Sequence, residues 1–124
     1  MTQPLALVVY EKLLPGSQLV NRLQDLNYRV QAVTNAETLV ACATEEKPML
    51  VLTDLTSTHQ DICAVIGQLR QNPETSHIPV IAFGPETALE LQQTALAAGA
   101  ILATSETAVL SHLSELLEQA LRIE

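Results

Sequence analysis

Short apolar runs alternate along this chain with longer segments in which apolar residues recur at helical spacing. Residues 5–10 and 49–53 are apolar at nearly every position, which is typical of parallel strands buried on both faces. Residues 28–33 alternate between apolar and polar side chains and predict a second strand. Two further runs, 78–83 and 100–103, predict a fourth strand and a short fifth strand.

Each predicted strand is followed by a segment with the apolar period of a helix. Pro15 fits the first turn of the first helix, and Asn35 is a candidate N-cap of the second. Gly99 is a candidate C-cap of the fourth helix, which is predicted over 86–97. The second helix is predicted to end near Lys47-Pro48 and the third at Asn72-Pro73; the last begins at Thr104-Ser105-Glu106 and carries Val109, Leu110, Leu113, Leu117 and Leu121.

Five repeats of strand and helix predict an α/β fold in which helices cover both faces of a parallel sheet. They occupy all 124 residues, so we expect one domain over 1–124. In such open sheets, ligands lie beyond the carboxyl ends of the strands. The residues that directly follow the strands are therefore the candidate functional residues.

Composition limits the classes of partner and compartment. The chain is 48% hydrophobic with a formal net charge of −8, which makes it too apolar for a disordered acidic segment. Six basic residues against fourteen acidic ones argue against nucleic-acid binding, which uses lysine and arginine to neutralise phosphates. The longest apolar run, 95–103, is too short to span a bilayer, and the N-terminus lacks a basic signal-peptide start. We expect a cytoplasmic protein that binds neither nucleic acid nor membrane.

The cysteines and histidines lack the spacing of metal or catalytic motifs. Cys42 and Cys63 fall in helix-like apolar patterns and are predicted to be buried thiols in a reducing compartment, with a redox or disulfide role as the alternative. His59, His77 and His112 are interpreted as surface or capping residues. No Ser-His-Asp or Cys-His arrangement indicates a catalytic site, and we do not expect an enzyme.

The strand ends and their flanking segments carry a family resemblance. Asp54 follows the third strand, an Ile-Pro-Val-Ile segment at 78–81 begins the fourth, and an Ala-Gly-Ala step at 98–100 leads into the fifth. With this order of elements, the chain resembles the response-regulator receiver family of two-component signal transduction, of the chemotaxis type. The family is flavodoxin-like, and the resemblance implies a doubly wound, five-stranded parallel sheet with strand order 2-1-3-4-5.

The family transfers a phosphoryl group onto an aspartate, and the resemblance implies that Asp54 is the phospho-acceptor position. A carboxylate can act as a nucleophile in phosphate chemistry, and Mg²⁺ prefers hard oxygen ligands. Receivers hold Mg²⁺ with an acidic pair after the first strand; here Tyr10 occupies the first of these positions and Glu11 the second. The resemblance thus implies that Glu11 and Asp54 are the candidate Mg²⁺ ligands.

Three other positions depart from the family pattern. The serine or threonine expected after the fourth strand is Gly84, and the aromatic switch residue of the fifth is Ala103. The lysine expected after the fifth strand falls on Glu106, or on Ser105 if the loop is one residue shorter. No lysine follows Lys47 in the sequence, so realignment supplies none, and an acidic side chain there would repel a phosphate. The phosphorylation pocket is therefore predicted to be degenerate, as in a pseudo-receiver.

Three functions are consistent with these residues. We prefer a non-catalytic receiver-like module that acts by binding a protein, either a histidine kinase or a downstream signalling protein. The first alternative is a working phosphorelay receiver that accepts a phosphoryl group on Asp54, and the second is a small-molecule binder at the sheet edge. Asp54 could instead cap the next helix, and Glu11 could be a solvated loop acid. By resemblance, partner contact or a homodimer maps to residues 86–124.

Overall fold

The computed structural model describes residues 4–9, 13–33, 38–55, 62–85 and 89–122, and within these ranges the chain forms five strands and six helices. The strands are β1 (Leu5–Val9), β2 (Arg29–Val33), β3 (Leu50–Asp54), β4 (Val80–Gly84) and β5 (Leu102–Ser105). The helices are α1 (Leu13–Asp25), α2 (Leu39–Glu46), α3 (Ile62–Gln71), α4 (Leu89–Ala98), α5 (Glu106–Ser111) and α6 (Leu113–Arg122).

All five strands pair in parallel, in the order β2-β1-β3-β4-β5, so the predicted fold class and strand order are confirmed. The three central strands, β1, β3 and β4, are buried at every position, in keeping with their continuously apolar sequences. The edge strand β2 is buried only at Val33, and β5 is half-buried throughout. The carboxyl ends of these three buried strands therefore lie side by side at one end of the sheet, flanked by the ends of β2 and β5. We call this end of the sheet the carboxyl edge.

Successive side chains of each strand point to opposite faces of the sheet and build two apolar cores. Val51 and Ile66 belong to the core between the sheet and helices α2, α3 and α4. Leu23, Leu52 and Phe83 belong to the core on the other face, beneath α1, α5 and α6. The helices thus cover both faces, as the alternation of strands and helices predicts.

The fifth strand begins later than predicted, and the last helix is interrupted. The Ala100 amide donates to the Ala95 carbonyl oxygen at 3.0 Å, so Ala100 closes the end of α4, and pairing with β4 begins at Leu102. The apolar pattern does not distinguish a residue that closes a helix from one that begins a buried strand, because both positions require an apolar side chain. At His112 the backbone leaves the helical region, with φ −122° and ψ 29°, which divides the predicted last helix into α5 and α6.

Smaller expectations about the surface have mixed outcomes. Cys42 and Cys63 form no disulfide and pack against the core on the α2–α4 face, but they are half-buried rather than buried. His77 and His112 are exposed, as predicted. Within the described ranges, no helix is long and apolar enough to cross a bilayer. The predicted helix starts Asn35 and Glu86, like His59, lie outside the described residues.

Side-chain hydrogen bonds fix the connection between α3 and β4. Thr75 is fully buried, and its hydroxyl donates to the Leu69 carbonyl oxygen at 2.7 Å. One residue further along each segment, Arg70 Nη1 donates to the Ser76 carbonyl oxygen, also at 2.7 Å. Both bonds tie the connection to the end of α3 and so set the point at which β4 enters the sheet.

We expect Thr75→Val to lower the free energy of unfolding by about 1–2 kcal/mol, because the substitution removes the donor that faces the Leu69 carbonyl in a buried position. Thr94→Val is the matched control: its hydroxyl makes the same kind of bond, to Glu90 at 2.8 Å, on an exposed face of α4. That variant should change stability by less than about 0.5 kcal/mol. Urea unfolding measures both, and equal losses would contradict the role assigned to Thr75.

Candidate functional site

Asp54 is the last residue of β3 and lies at the carboxyl edge of the sheet. It pairs with Phe83 on β4, and Phe83 pairs with Thr104 on β5, so three strands end side by side. Only 2% of the Asp54 surface is exposed. Because burying a carboxylate costs free energy unless it is hydrogen-bonded or paired, an aspartate at this depth marks a specific structural or chemical role. It is also at the edge where this class of fold binds ligands.

The neighbouring position on β4 has no side chain. Gly84 ends β4, one residue beyond Phe83, the residue that pairs with Asp54 on β3. Leu55, the residue after Asp54, is buried, and its amide donates to the Phe83 carbonyl oxygen at 2.8 Å. A Cβ atom placed on Gly84 would meet Leu55 Cβ at 3.5 Å, which is ordinary van der Waals contact. Space for a side chain exists at this position, although the sequence supplies none.

The end of β5 carries a hydroxyl and a carboxylate. Ser105 pairs with Gly84, and its Oγ accepts the Ala108 amide at 3.1 Å, so the hydroxyl caps α5. Ser105 is thus the last strand residue, not part of the predicted helix. Glu106 follows in the first helical turn, where an acidic side chain is favoured by the helix dipole. This helix start explains the choice of residues in structural terms, and it puts a negative charge where the resemblance expects a lysine.

The position expected for an aromatic switch lies in a row of small side chains. Ala103 pairs with Ala82, Ala82 pairs with Thr53, and Thr53 pairs with Val9 across the sheet. Ala103 is half-buried against the α2–α4 core. The Thr53 hydroxyl is fully buried and has no hydrogen-bond partner in the described part of the chain. Ala103 has no rotamer to switch, so a conformational readout of the aromatic type has no side chain to act through.

Two of the candidate site residues follow the first strand. Tyr10 and Glu11 lie outside the described residues. Among the residues that are described, no group of three histidine, cysteine or acidic side chains is arranged to hold a metal ion. Asp54 is therefore the one described member of the expected Mg²⁺ ligand pair, and the described residues do not by themselves fit a magnesium site.

Positive charge is remote from Asp54 in the second half of the chain. Arg70 and Arg122 are the only basic residues that follow Lys47 in the sequence. Arg70 is near the end of α3, bonded to the Ser76 carbonyl, and Arg122 is the last residue of α6. α3 runs away from the carboxyl edge, so the Arg70 guanidinium does not replace the missing lysine.

Sequence reasoning missed two features of this site. The first is Leu55, whose side chain lies over Gly84; the sequence signal was an apolar residue directly after the strand. The second is the unpartnered hydroxyl of Thr53, which a linear sequence does not reveal because its neighbours are set by strand pairing. Both are next to Asp54 in the chain, and because side chains alternate along a strand, both belong to the face of the sheet opposite to the one that Asp54 shares with Leu52.

Comparison with solved structures relates this arrangement to known proteins. A candidate response regulator from Chloroflexus aurantiacus superposes with a TM-score of 0.90 at 16% identity, covering 98% of this chain and 99% of that one. The receiver domain of a sensor histidine kinase from Pseudomonas aeruginosa, solved with a magnesium ion coordinated in its active site cleft, gives 0.86 at 18% identity over 98% and 99%. The receiver domain of NtrX from Brucella abortus gives 0.83 at 20% identity over 96% and 99%.

No protein-family model and no curated protein matches the sequence. Identities near 20% do not carry function, but TM-scores above 0.8 over nearly the full length of both chains establish a common architecture. The helices on both faces and the strand order agree with this likeness. The chain therefore has the fold of response-regulator receiver domains.

Proposed function

We propose that this chain is a receiver-like module of two-component signalling whose phosphorylation pocket is degenerate and which acts by binding another protein. One observation supports the proposal: Gly84 ends β4, and Ser105 and Glu106 stand where β5 ends and α5 begins, at the carboxyl edge that holds Asp54. By resemblance, Gly84 falls where a hydroxyl would meet a phosphoryl group, and Glu106 or Ser105 falls where a lysine would meet it. Catalysis of phosphoryl transfer rests on positioned donors and cations, so their loss removes most of the rate. We further propose that the module is cytoplasmic and is not an enzyme.

The backbone spacing supports this reading of Glu106. β5 lies two strands from β3, so their backbones are about 10 Å apart, a gap that a lysine side chain from one strand end and an aspartate side chain from the other bridge together. Glutamate is shorter and carries the opposite charge. Its negative charge at this edge raises the energy of any phosphoryl dianion that approaches Asp54.

The surface of α4 supports action through a protein partner. Of its ten residues, all of them described, Ala95 alone is buried, while Leu89, Leu91 and Leu96 are 64%, 41% and 46% exposed. Leu89 and Leu96 are seven residues apart, two helical turns, and so share one flank. Exposed apolar residues grouped on a single helix are typical of a protein-binding surface. A histidine kinase or a downstream signalling protein is the class of partner that we propose for it.

Acetyl phosphate with Mg²⁺ tests the proposal. We expect intact mass measurement of the wild-type protein to show no added phosphoryl group, because neither Gly84 nor Glu106 stabilises the transferred group. The same proteins captured from source-cell extract by the wild type should also be captured by Asp54→Asn. Capture should fall with Leu89→Gln combined with Leu96→Gln, and remain with the solvent-facing control Thr94→Gln.

Two outcomes would overturn the proposal. A phosphoryl mass that appears on the wild type and disappears in Asp54→Asn would identify a working phosphorelay receiver, the alternative that the position of Asp54 at the end of β3 favours. A thermal shift with a nucleotide or flavin, with no protein captured, would instead support a small-molecule binder at the sheet edge.

Metal binding is a separate measurement. If Mg²⁺ stabilises the wild type but not Asp54→Asn, the metal-binding half of the family chemistry is retained.

A further inference from the structure

A continuous groove runs between α1 and the interrupted last helix, on the face of the sheet opposite α4. Its central section has a volume of about 140 Å³ and includes Leu26, Leu110 and Leu113 in its lining. Adjoining hollows extend it towards Gln18 at one end and Tyr28 at the other. The groove lies beside the last turns of α1, which lead into β2, and is therefore far from the carboxyl edge that holds Asp54. It is a second surface, independent of the proposed phosphoryl chemistry.

Part of the groove is lined by accessible apolar side chains. Leu26 follows the buried Leu23 by about one helical turn and lines the groove, where it is 39% exposed. Leu110 and Tyr28 are half-buried, and burial raises the pKa of the Tyr28 phenol, so the ring stays neutral at physiological pH. A partner that covered these side chains would remove apolar surface from water without burying a charged phenolate.

The groove carries two opposite charges, Arg22 and Asp25, that form no ion pair within the described part of the chain. Arg22 and Asp25 both line it, both are exposed, and they lie three residues apart on α1. Three-residue spacing would allow them to pair within the helix. Within the described residues, His112 and Glu115 form an ion pair at 3.7 Å, whereas no ion pair joins Arg22 to Asp25. Each therefore remains available to an opposite charge brought by a partner.

A face with one unpaired cation and one unpaired anion beside an apolar strip is complementary to itself. In a two-fold symmetric dimer, residue i of one copy contacts residue j of the other, and j contacts i. Two copies packed groove to groove would therefore form the Arg22–Asp25 pair twice while burying both Leu26 side chains. We propose that the groove between α1 and α5–α6 is a homodimer interface of this chain. The proposal goes beyond the signalling role above and does not depend on Asp54.

Charge reversal gives a sharp test by sedimentation equilibrium or light scattering across a range of concentrations. R22E and D25R should each weaken the dimer at least about tenfold, because each change turns both attractive pairs into repulsive ones. The double variant R22E/D25R should recover wild-type association, since the two charges have only changed places. Mixing the single variants should form a heterodimer, because one then carries two acidic groups and the other two basic groups. Higher salt should weaken the wild-type dimer.

The controls separate this interface from others. Leu89→Ser on α4 lies outside the groove and should leave the dimer unchanged, and so should Asp54→Asn. A wild-type monomer at millimolar concentration would overturn the proposal, as would a dimer that the single reversals leave intact. Loss of the dimer in Leu89→Ser would assign dimerisation to α4 instead. None of these results depends on whether Asp54 accepts a phosphoryl group, so the two proposals fail separately.

Discussion

Replacing Gly84 with threonine and Glu106 with lysine is expected to give a protein that acetyl phosphate modifies at Asp54 at least about a hundredfold faster than the wild type. In that step the Asp54 carboxylate oxygen forms a bond to phosphorus as the bond from phosphorus to the acetyl oxygen breaks, and acetate leaves. The threonine hydroxyl and the lysine ammonium would meet the phosphoryl oxygens as charge is transferred. A side chain at position 84 fits, because its Cβ would contact Leu55 Cβ at 3.5 Å.

The controls for this gain of function isolate each cause. Glu106→Gln removes the negative charge without adding a cation and should recover only a small part of the rate. Asp54→Asn in the double-variant background should abolish the added mass, which identifies the acceptor. A double variant as inert as the wild type would show that the missing hydroxyl and lysine are not the cause. The cause would then lie with the remaining departure from the family pattern, Tyr10 in place of an acidic residue.

Gly99→Ala is expected to produce the largest loss of stability of any single methyl addition among the described glycines. Gly99 has φ +130°, a backbone conformation that residues with a Cβ rarely adopt, which costs about 1–3 kcal/mol. The new Cβ would also overlap Arg70 Cγ and lie 2.9 Å from Arg70 Cδ, so the arginine would have to move. Because Arg70 also donates to the Ser76 carbonyl, moving it disturbs the connection into β4. We expect a total loss of about 3 kcal/mol or more, measured by urea unfolding.

Gly67→Ala provides the matched control for that measurement. Gly67 lies within α3, and a Cβ there meets no atom within 4 Å, so the substitution should stabilise the protein by about 0.5–1 kcal/mol. Combining Gly99→Ala with Arg70→Ala relieves the steric contact but not the backbone strain, and should recover only part of the loss. Full recovery would mean that the positive φ costs nothing. A Gly99→Ala variant as stable as the wild type would contradict both causes.

The fold was predictable from the sequence because its strongest signals are local and repeated. The continuously apolar runs that became β1, β3 and β4 can only be buried by helices on both faces, and the intervening helices force parallel pairing. Gly99 was recognisable as a helix end, and its positive φ confirms the reason. Strand order was not derivable from periodicity; it came from the family resemblance and is confirmed.

The candidate site was predictable only at the level of position. Asp54, Gly84 and Glu106 follow strands or end them, and strand ends converge by topology. The capping role of Ser105 depends on where β5 stops, and the short apolar run before it left that boundary two residues out. The contact of Leu55 with Gly84 depends on the pairing of two strands distant in sequence. Whether Asp54 accepts a phosphoryl group remains a prediction.

Helix α4 buries only Ala95 among its ten residues, and this has a consequence for how the protein responds to binding. A helix that buries one alanine gains little from the core, so its local opening costs less free energy than the opening of β1 or β3. The Arg70 side chain lies close to Gly99 at the end of α4, and we expect this packing to limit that opening. A partner seated on Leu89 and Leu96 would add apolar burial that the domain lacks and would slow amide hydrogen exchange along α4. Binding could in this way be registered as a change in local order, without phosphate and without a switch residue.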